Sequence, residues 1–352
     1  MEEKKKTARE IIEGYDGPPV RIMEVCGTHT HEIFRLGIRK LLPEQVELIS
    51  GPGCPVCVTQ VGFIDEAIYL ALERQVTICT FGDLVRVPGT NMSLAGAREK
   101  GAKIRIVYSP VDAKEYAKEH PKEQVTFLSV GFETTTPSAC LSVKKAREEG
   151  LTNYSILTAN KTMPQAYEAL KESADIFLYP GHVNAITGTK LCEELAKEGV
   201  SGVVAGFTAK ELLTALAVAL ARFQEGRPFF VNCYPRVVTE NGSPQAQKLV
   251  EEMMEPCDSE WRGLGVIKGS GMRLQEEWSA FDARKKYKIP PIQGKANPAC
   301  RCGDVLQGKC KPSDCKVFGK VCTPQHPIGA CMVSGEGACS AYYMYGEAEE
   351  MK

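Results

Sequence analysis

Apolar residues recur along the first two thirds of the chain in two alternating patterns. Short apolar runs read as buried strands: Val20–Val25, Val46–Ser50, Val76–Phe81, Ile104–Tyr108, Val125–Val130, Tyr154–Ala159, Ile176–Tyr179 and Gly202–Ala205. Between them lie helical patterns, among them Thr7–Glu13, Phe63–Glu73, Met92–Lys100, Pro164–Glu172, Thr189–Glu198 and Lys210–Phe223. Further helices are expected up to Leu42 and up to Glu149. Strands alternating with helices of this length predict an α/β fold with parallel sheets covered on both faces. The strands fall into two successive sets of about four. The expectation is therefore two consecutive α/β domains, residues 1–120 and 121–240, facing one another across a cleft.

The pattern changes near Ser243. A helix over Pro244–Glu255 precedes glycine-rich and charged stretches, and Pro290, Pro291 and Pro298 mark a break. Residues 300–339 are rich in Cys, Gly and Pro and have no apolar period. A segment of that kind cannot bury a core of its own, so metal or thiol chemistry must hold it together. Residues 241–352 are expected to form a small third domain, helical and Cys-rich, around an iron–sulfur centre.

Composition narrows the function classes. A length of 352 residues exceeds what one core usually serves. A formal net charge of -1 provides no basic field for nucleic acid. No run of about 18 apolar residues is available to span a membrane. The start, Met1-Glu-Glu-Lys-Lys-Lys-Thr7, lacks the apolar stretch of a signal peptide, so a cytoplasmic protein is expected. The chain has 15 cysteines, eight within the first 257 residues and seven between Cys300 and Cys339. In a reducing compartment such a count points to metal or redox chemistry and away from a static disulfide framework.

Parallel sheets bind ligands beyond the carboxyl ends of their strands. Cys26, His29, Cys54, Cys57, Asp83, Glu133, Asn160, Lys161 and His182 all follow a predicted strand. If the two units face each other, Cys26, Cys54, Cys57, Glu133 and His182 line a shared cleft. Cys26-Gly-Thr-His-Thr-His31 sets a thiol beside two imidazoles, His29 and His31. A helix cap with surface histidines is the simpler account, but soft thiolate and imidazole donors near a second thiol turn favour late metals or iron. That second turn is Gly51-Pro-Gly-Cys-Pro-Val-Cys57. Its thiols, at a helix start, are expected to have a lowered pKa and to cycle as a dithiol or bind a metal. No second Cys-x-x-Cys completes a zinc ribbon. Glu133 serves either as a helix cap or in the site, and His182 alone is a weak signal. Cys79, Cys140, Cys192 and Cys233 read as inert apolar residues, and Cys257 is open. The seven late cysteines match neither a zinc finger nor a ferredoxin run, yet a four-thiolate [4Fe–4S] cluster with a neighbouring thiol pair accounts for their number. Zinc is the competing metal.

The motifs just quoted, with Gly131-Phe-Glu-Thr-Thr-Thr-Pro137, Pro180-Gly-His-Val183, Phe281-Asp-Ala-Arg-Lys-Lys-Tyr287, Cys300-Arg-Cys-Gly303 and Pro327–Cys339, resemble the HypD family of hydrogenase maturation factors over nearly the whole chain. The resemblance implies a scaffold for the iron centre of [NiFe]-hydrogenases, which carries two cyanides and one carbon monoxide. It implies a HypC-type small chaperone and a HypE-type cyanide donor as partners. Cys26 would anchor the iron together with a cysteine of the chaperone. Cys54 and Cys57 would be redox-active, with His29, His31, Glu133 and His182 as supporting or proton-handling groups. Cys300, Cys315, Cys322 and Cys339 would hold the cluster, with Cys310 as the alternative ligand, leaving Cys302 and Cys331 as a dithiol. A stand-alone thiol–disulfide reductase coupled to an iron–sulfur cluster is the rival reading; it leaves Cys26 and its histidines unexplained.

Overall fold

The computed structural model describes residues 6–346. Its strands follow in order: β1 (Val20–Glu24), β2 (Val46–Ser50), β3 (Thr77–Thr80), β4 (Ile104–Ile106), β5 (Val125–Gly131), β6 (Tyr154–Asn160), β7 (Ile176–Pro180), β8 (Ser201–Ala205) and β9 (Phe230–Asn232). They build two parallel sheets, ordered β2-β1-β7-β8-β9 and β4-β3-β5-β6. The α/β class stands. Strand partnership differs from the consecutive sets expected at 1–120 and 121–240. The chain leaves the first sheet after β2, lays down the whole second sheet, and returns at β7, where Ile22 pairs with Ile176. Periodicity identifies a buried strand but says nothing of its neighbour, because the pairing partner lies elsewhere in the chain.

Burial explains the central strands. β5, β6, β7 and β8 are buried at every position, as expected for strands covered by helices on both sides. Glu24 of β1 is the exception in kind, a fully buried carboxylate. It accepts from Arg39 Nη2 at 2.6 Å, Thr30 Oγ1 at 2.7 Å and Ser50 Oγ at 3.2 Å, so its charge and lone pairs are satisfied.

Two helices of the α/β body have little apolar period. Residues Pro110–Glu119 bury mainly small side chains, Ala113 and Ala117, and the helix is set by a Ser109–Asp112 capping box with proline in its first turn. Gly181–Thr187 follows directly on β7 and carries His182 in its first turn. The glycine-rich stretch to which the sequence assigned no element forms an antiparallel hairpin, β10 (Met254–Trp261) and β11 (Gly265–Leu274). Its residues touch both sheet units: Thr59 bridges to Trp261, and Lys161 bridges to Gly271. Lys161, fully buried, donates from Nζ to Ser259 Oγ at 2.6 Å and Glu260 O at 2.7 Å. The hairpin thus ties the Cys-Pro-Val-Cys turn to the end of β6.

Beyond the hairpin, regular structure is sparse. Residues Cys302–Leu306 and Ala338–Tyr345 are short helices joined by turns. Among the described residues, no helix is long and apolar enough to cross a membrane.

Candidate functional site

The first sheet's carboxyl edge collects most of the expected residues. Cys26 follows β1 by two residues and is the N-cap of helix Gly27–Arg35; Cys54 follows β2; His182 follows β7; Gly206 and Phe207 follow β8. Two glycines make the junction possible. A Cβ on Gly53 would lie 2.2 Å from Cys26 N, and one on Gly27 would lie 2.6 Å from Glu336 Cβ. The turn is pinned as Gly27 N–H donates to Gly53 O at 3.0 Å.

Cys26 Sγ stands 3.9 Å from His182 Nε2. Burial pushes the Cys26 thiol up to about 12, so it stays protonated at neutral pH until a cation displaces the proton. His29 is fully buried, and its Nε2–H donates to Gly206 O at 3.0 Å. A carbonyl only accepts, so Nδ1 is the unprotonated nitrogen, and it has no partner among the described residues. Burial, with His182 nearby, drops the His29 pKa to about 3 and keeps the ring neutral. Burial likewise lowers that of His182. Phe207 lies against both imidazoles, at centroid distances of 4.9 Å and 5.0 Å. His31 points away from Cys26, donating from Nδ1 to Gly335 O at 3.1 Å.

Cys54 caps the short helix Pro55–Val58, and its sulfur accepts from Cys57 N at 3.2 Å. The expected lowering of thiol pKa fails at Cys57, which burial holds well above the usual value. A four-residue helix has little dipole, and complete desolvation outweighs it. Cys57 lies beside Cys331, Cys331 beside Cys302 and Cys339, and Cys302 beside Cys300, each close enough to shift its neighbour's titration. A continuous run of sulfurs therefore leads from the Cys-Pro-Val-Cys turn into the C-terminal segment.

That run ends at a small apolar cavity lined by Cys300, Cys302, Cys315, Cys322, Cys331 and Cys339. Cys310, the alternative ligand, lies at another cleft, with Leu48 and Ser50. Among the described residues, no three His, Cys, Asp or Glu side chains are disposed as a closed metal site. The donor chemistry still suits a four-thiolate cluster, since six thiols share one cavity wall.

Glu133 comes from the other sheet. Its Oε1 accepts from Met163 N at 2.9 Å, while Oε2 is buried without a partner, and burial raises its pKa to about 7. Tyr167 is also buried, its hydroxyl without a partner among the described residues, and it packs against Tyr179 at a centroid distance of 5.0 Å. Cys192, expected to be inert, is buried and accepts from Asn184 Nδ2 at 3.3 Å.

Sequence reasoning missed Phe207, Tyr167 and the loop Ser334–Glu336. That loop seals the corner: Ser334 Oγ donates to Asp83 Oδ2 at 2.9 Å, and Thr28 Oγ1 donates to Glu336 Oε1 at 2.7 Å. The only early sign of it was a Ser-Gly-Glu-Gly run inside the cysteine segment.

Comparison with known proteins agrees over the same span. A family model described as HypD, hydrogenase formation hypA family, matches residues 2–346. The hydrogenase maturation factor HypD of Cupriavidus necator is 42% identical, covering 96% of this chain and 93% of its own. The HypD of Rhizobium leguminosarum bv. viciae is 43% identical, covering 98% and 94%. That of Escherichia coli is 43% identical, covering 94% and 90%. The chain belongs to the HypD family of hydrogenase maturation factors.

Proposed function

We propose that this chain is the scaffold on which the iron centre of [NiFe]-hydrogenases, with two cyanides and one carbon monoxide, is assembled. The observation that carries the reading is the unbroken run of sulfurs from Cys54 and Cys57 through Cys331 and Cys302 to the six-thiol cavity. It begins beside a separate thiol, Cys26, which has imidazole neighbours and no place in the run.

In this reading iron is the cargo, and Cys26 anchors it together with a cysteine of a HypC-type chaperone. A soft thiolate suits low-spin iron, and burial of the corner keeps water away. Iron displaces the Cys26 proton, which His182 is positioned to take. Cyanide arrives from a HypE-type donor. Reductive release of cyanide from its donor would take up two electrons and two protons, which either dithiol, Cys54 with Cys57 or Cys302 with Cys331, would supply on closing to a disulfide. Exchange between Cys57 and Cys331 then passes the oxidised state along the chain. Cys300, Cys315, Cys322 and Cys339 would hold a [4Fe–4S] cluster, which when bound supplies electrons singly.

The test is an infrared spectrum of the protein purified without oxygen together with its small chaperone. Bands of metal-bound cyanide and carbon monoxide are expected, and they should vanish in Cys26→Ala while cluster iron and sulfide stay unchanged. Unchanged bands in that variant would remove the anchor role. No bands in a sample with an intact cluster would favour the stand-alone thiol–disulfide reductase, which the Cys57–Cys331 contact alone would also suit.

A further inference from the structure

On the far side of the cysteine cavity runs an open groove of about 770 Å³. It is formed by three separated stretches, residues 86–95, 295–298 and 325–328, with Val61 and Arg262. Four basic side chains line it, Arg86, Arg262, Lys295 and His326, and among the described lining residues there is no Asp or Glu. In a chain of net charge -1, that is a local concentration of one sign. We propose that this groove is a docking site for an acidic, carboxylate-bearing segment of a protein partner.

Arg262 supplies the strongest argument. Its Nε donates to Thr59 O at 3.0 Å, while Nη2 is buried with no acceptor among the described residues. An unpaired buried guanidinium N–H is costly, and a carboxylate is the acceptor whose geometry a guanidinium matches best. The protein's own carboxylates do not fill the role: Glu66 and Glu260 line a neighbouring cleft with Arg262, but Glu66 pairs with Arg284 at 2.7 Å and neither Glu bonds Arg262 Nη2. Asp65 is taken by Thr90, through its N–H at 2.8 Å and its hydroxyl at 2.6 Å. Thr90 Oγ1 in turn accepts from Lys295 N at 2.8 Å, which fixes the basic stretch across the groove.

The disposition of charge favours a peptide over a free phosphate. Arg86 and Lys295 are exposed on the rim, where hydrated cations steer a partner and fix its register, with the exposed His326 beside them as a polar contact. A small-anion site would bury its donors. Pro88, Met92 and Pro327 give the floor apolar contacts for side-chain stems. Position adds a consequence. Ile328 lines the groove, its N–H donates to Cys322 Sγ at 3.3 Å, and the next residue, Gly329, borders the thiol cavity. A partner seated here stands within two residues of those sulfurs. The docking claim needs only the groove, so it survives or fails independently of the scaffold reading.

The probe is a fluorescein-labelled peptide of alternating Glu and Gly, titrated into the full-length protein and followed by anisotropy. Saturable, salt-sensitive binding is expected, weakened at least about tenfold by Arg86→Glu/Lys295→Glu. The pair Lys197→Glu/Lys210→Glu changes net charge equally and should leave the affinity within about twofold. Because Arg86 also donates to Pro324 O at 2.7 Å, Lys295→Glu alone is measured beside it, with thermal melts to confirm folding. Equal weakening by the control pair, or the absence of saturable binding, would overturn the proposal. So would inorganic pyrophosphate binding that Lys295→Glu abolishes in the absence of peptide binding, which would make the groove a small-anion site.

Discussion

The corner around Cys26 and the cavity around Cys302 hold the same functional group, a buried thiol, in two kinds of scaffold. Cys26 sits where a sheet strand meets a nine-residue helix, and backbone hydrogen bonds on both sides fix its position. An imidazole from another strand end stands 3.9 Å from its sulfur. The cavity thiols come from a segment whose helices are short and which is fastened to the body by side chains: Phe34 packs on Tyr342, Thr28 donates to Glu336, Ser334 to Asp83 and Arg21 Nη2 to Gly308 O at 3.2 Å, while Cys302, Leu306, Ala330, Cys331 and Val333 join the body's core. There the thiols chiefly touch one another. The difference is one of dependence. A thiol on a regular framework can be removed without disturbing its surroundings, whereas crowded thiols in an irregular segment are themselves what the segment is built around.

The largest expected effect would break that contrast if it failed. Cys300→Ala/Cys315→Ala should abolish bound iron and sulfide and loosen residues 300–339 in hydrogen exchange, leaving amides of β5 to β8 protected. Protection of the segment equal to wild type would show that it folds without its thiols.

A smaller effect probes the polar interior of the α/β body. Burial raises Glu133 from the usual 4.5 to about 7, so the fold favours its protonated form. That contribution is complete below the unfolded pKa and is lost as pH rises through the folded value, amounting to roughly 3 kcal/mol over the window. Urea unfolding at both ends of the window should show this loss in wild type and not in Glu133→Gln. A parallel pH dependence in the two proteins would assign it to other groups.

The smallest concerns local framework alone. Ser109 Oγ accepts from Asp112 N at 3.1 Å as the cap of helix Pro110–Glu119. Ser109→Ala should cost about 1 kcal/mol of stability and leave the reactivity of every cavity thiol unchanged. Altered thiol labelling in that variant would mean the two regions are coupled more tightly than their contacts indicate.

Much of this molecule is legible from residue pattern. The apolar runs gave β1 to β8 within a residue or two, because a strand covered on both faces has to be continuously apolar. The chemistry was also local: Cys26, Cys54, Cys57 and His182 were singled out because each follows a strand, and the fold places all four at one sheet edge. The hairpin β10–β11 was hidden by Pro256 and its glycines, and helix Pro110–Glu119 by its small buried residues. Phe207 and Tyr167 gave no signal, since an aromatic near a site looks like any core aromatic until its neighbours are known.

By itself the sequence determined the strands β1 to β8, the thiols that follow them, and the family to which the chain belongs. Only the tertiary structure decided that β1 and β2 join β7 to β9, and that Cys57 meets Cys331 across 274 positions. It also decided that burial raises the thiol of Cys57 where a helix start was expected to lower it, and that burial raises the thiol of Cys26. The physical reason is common to all three. Periodicity and turn chemistry are properties of neighbours along the chain, whereas strand partnership, sulfur contact and desolvation depend on residues that meet only once the chain has folded.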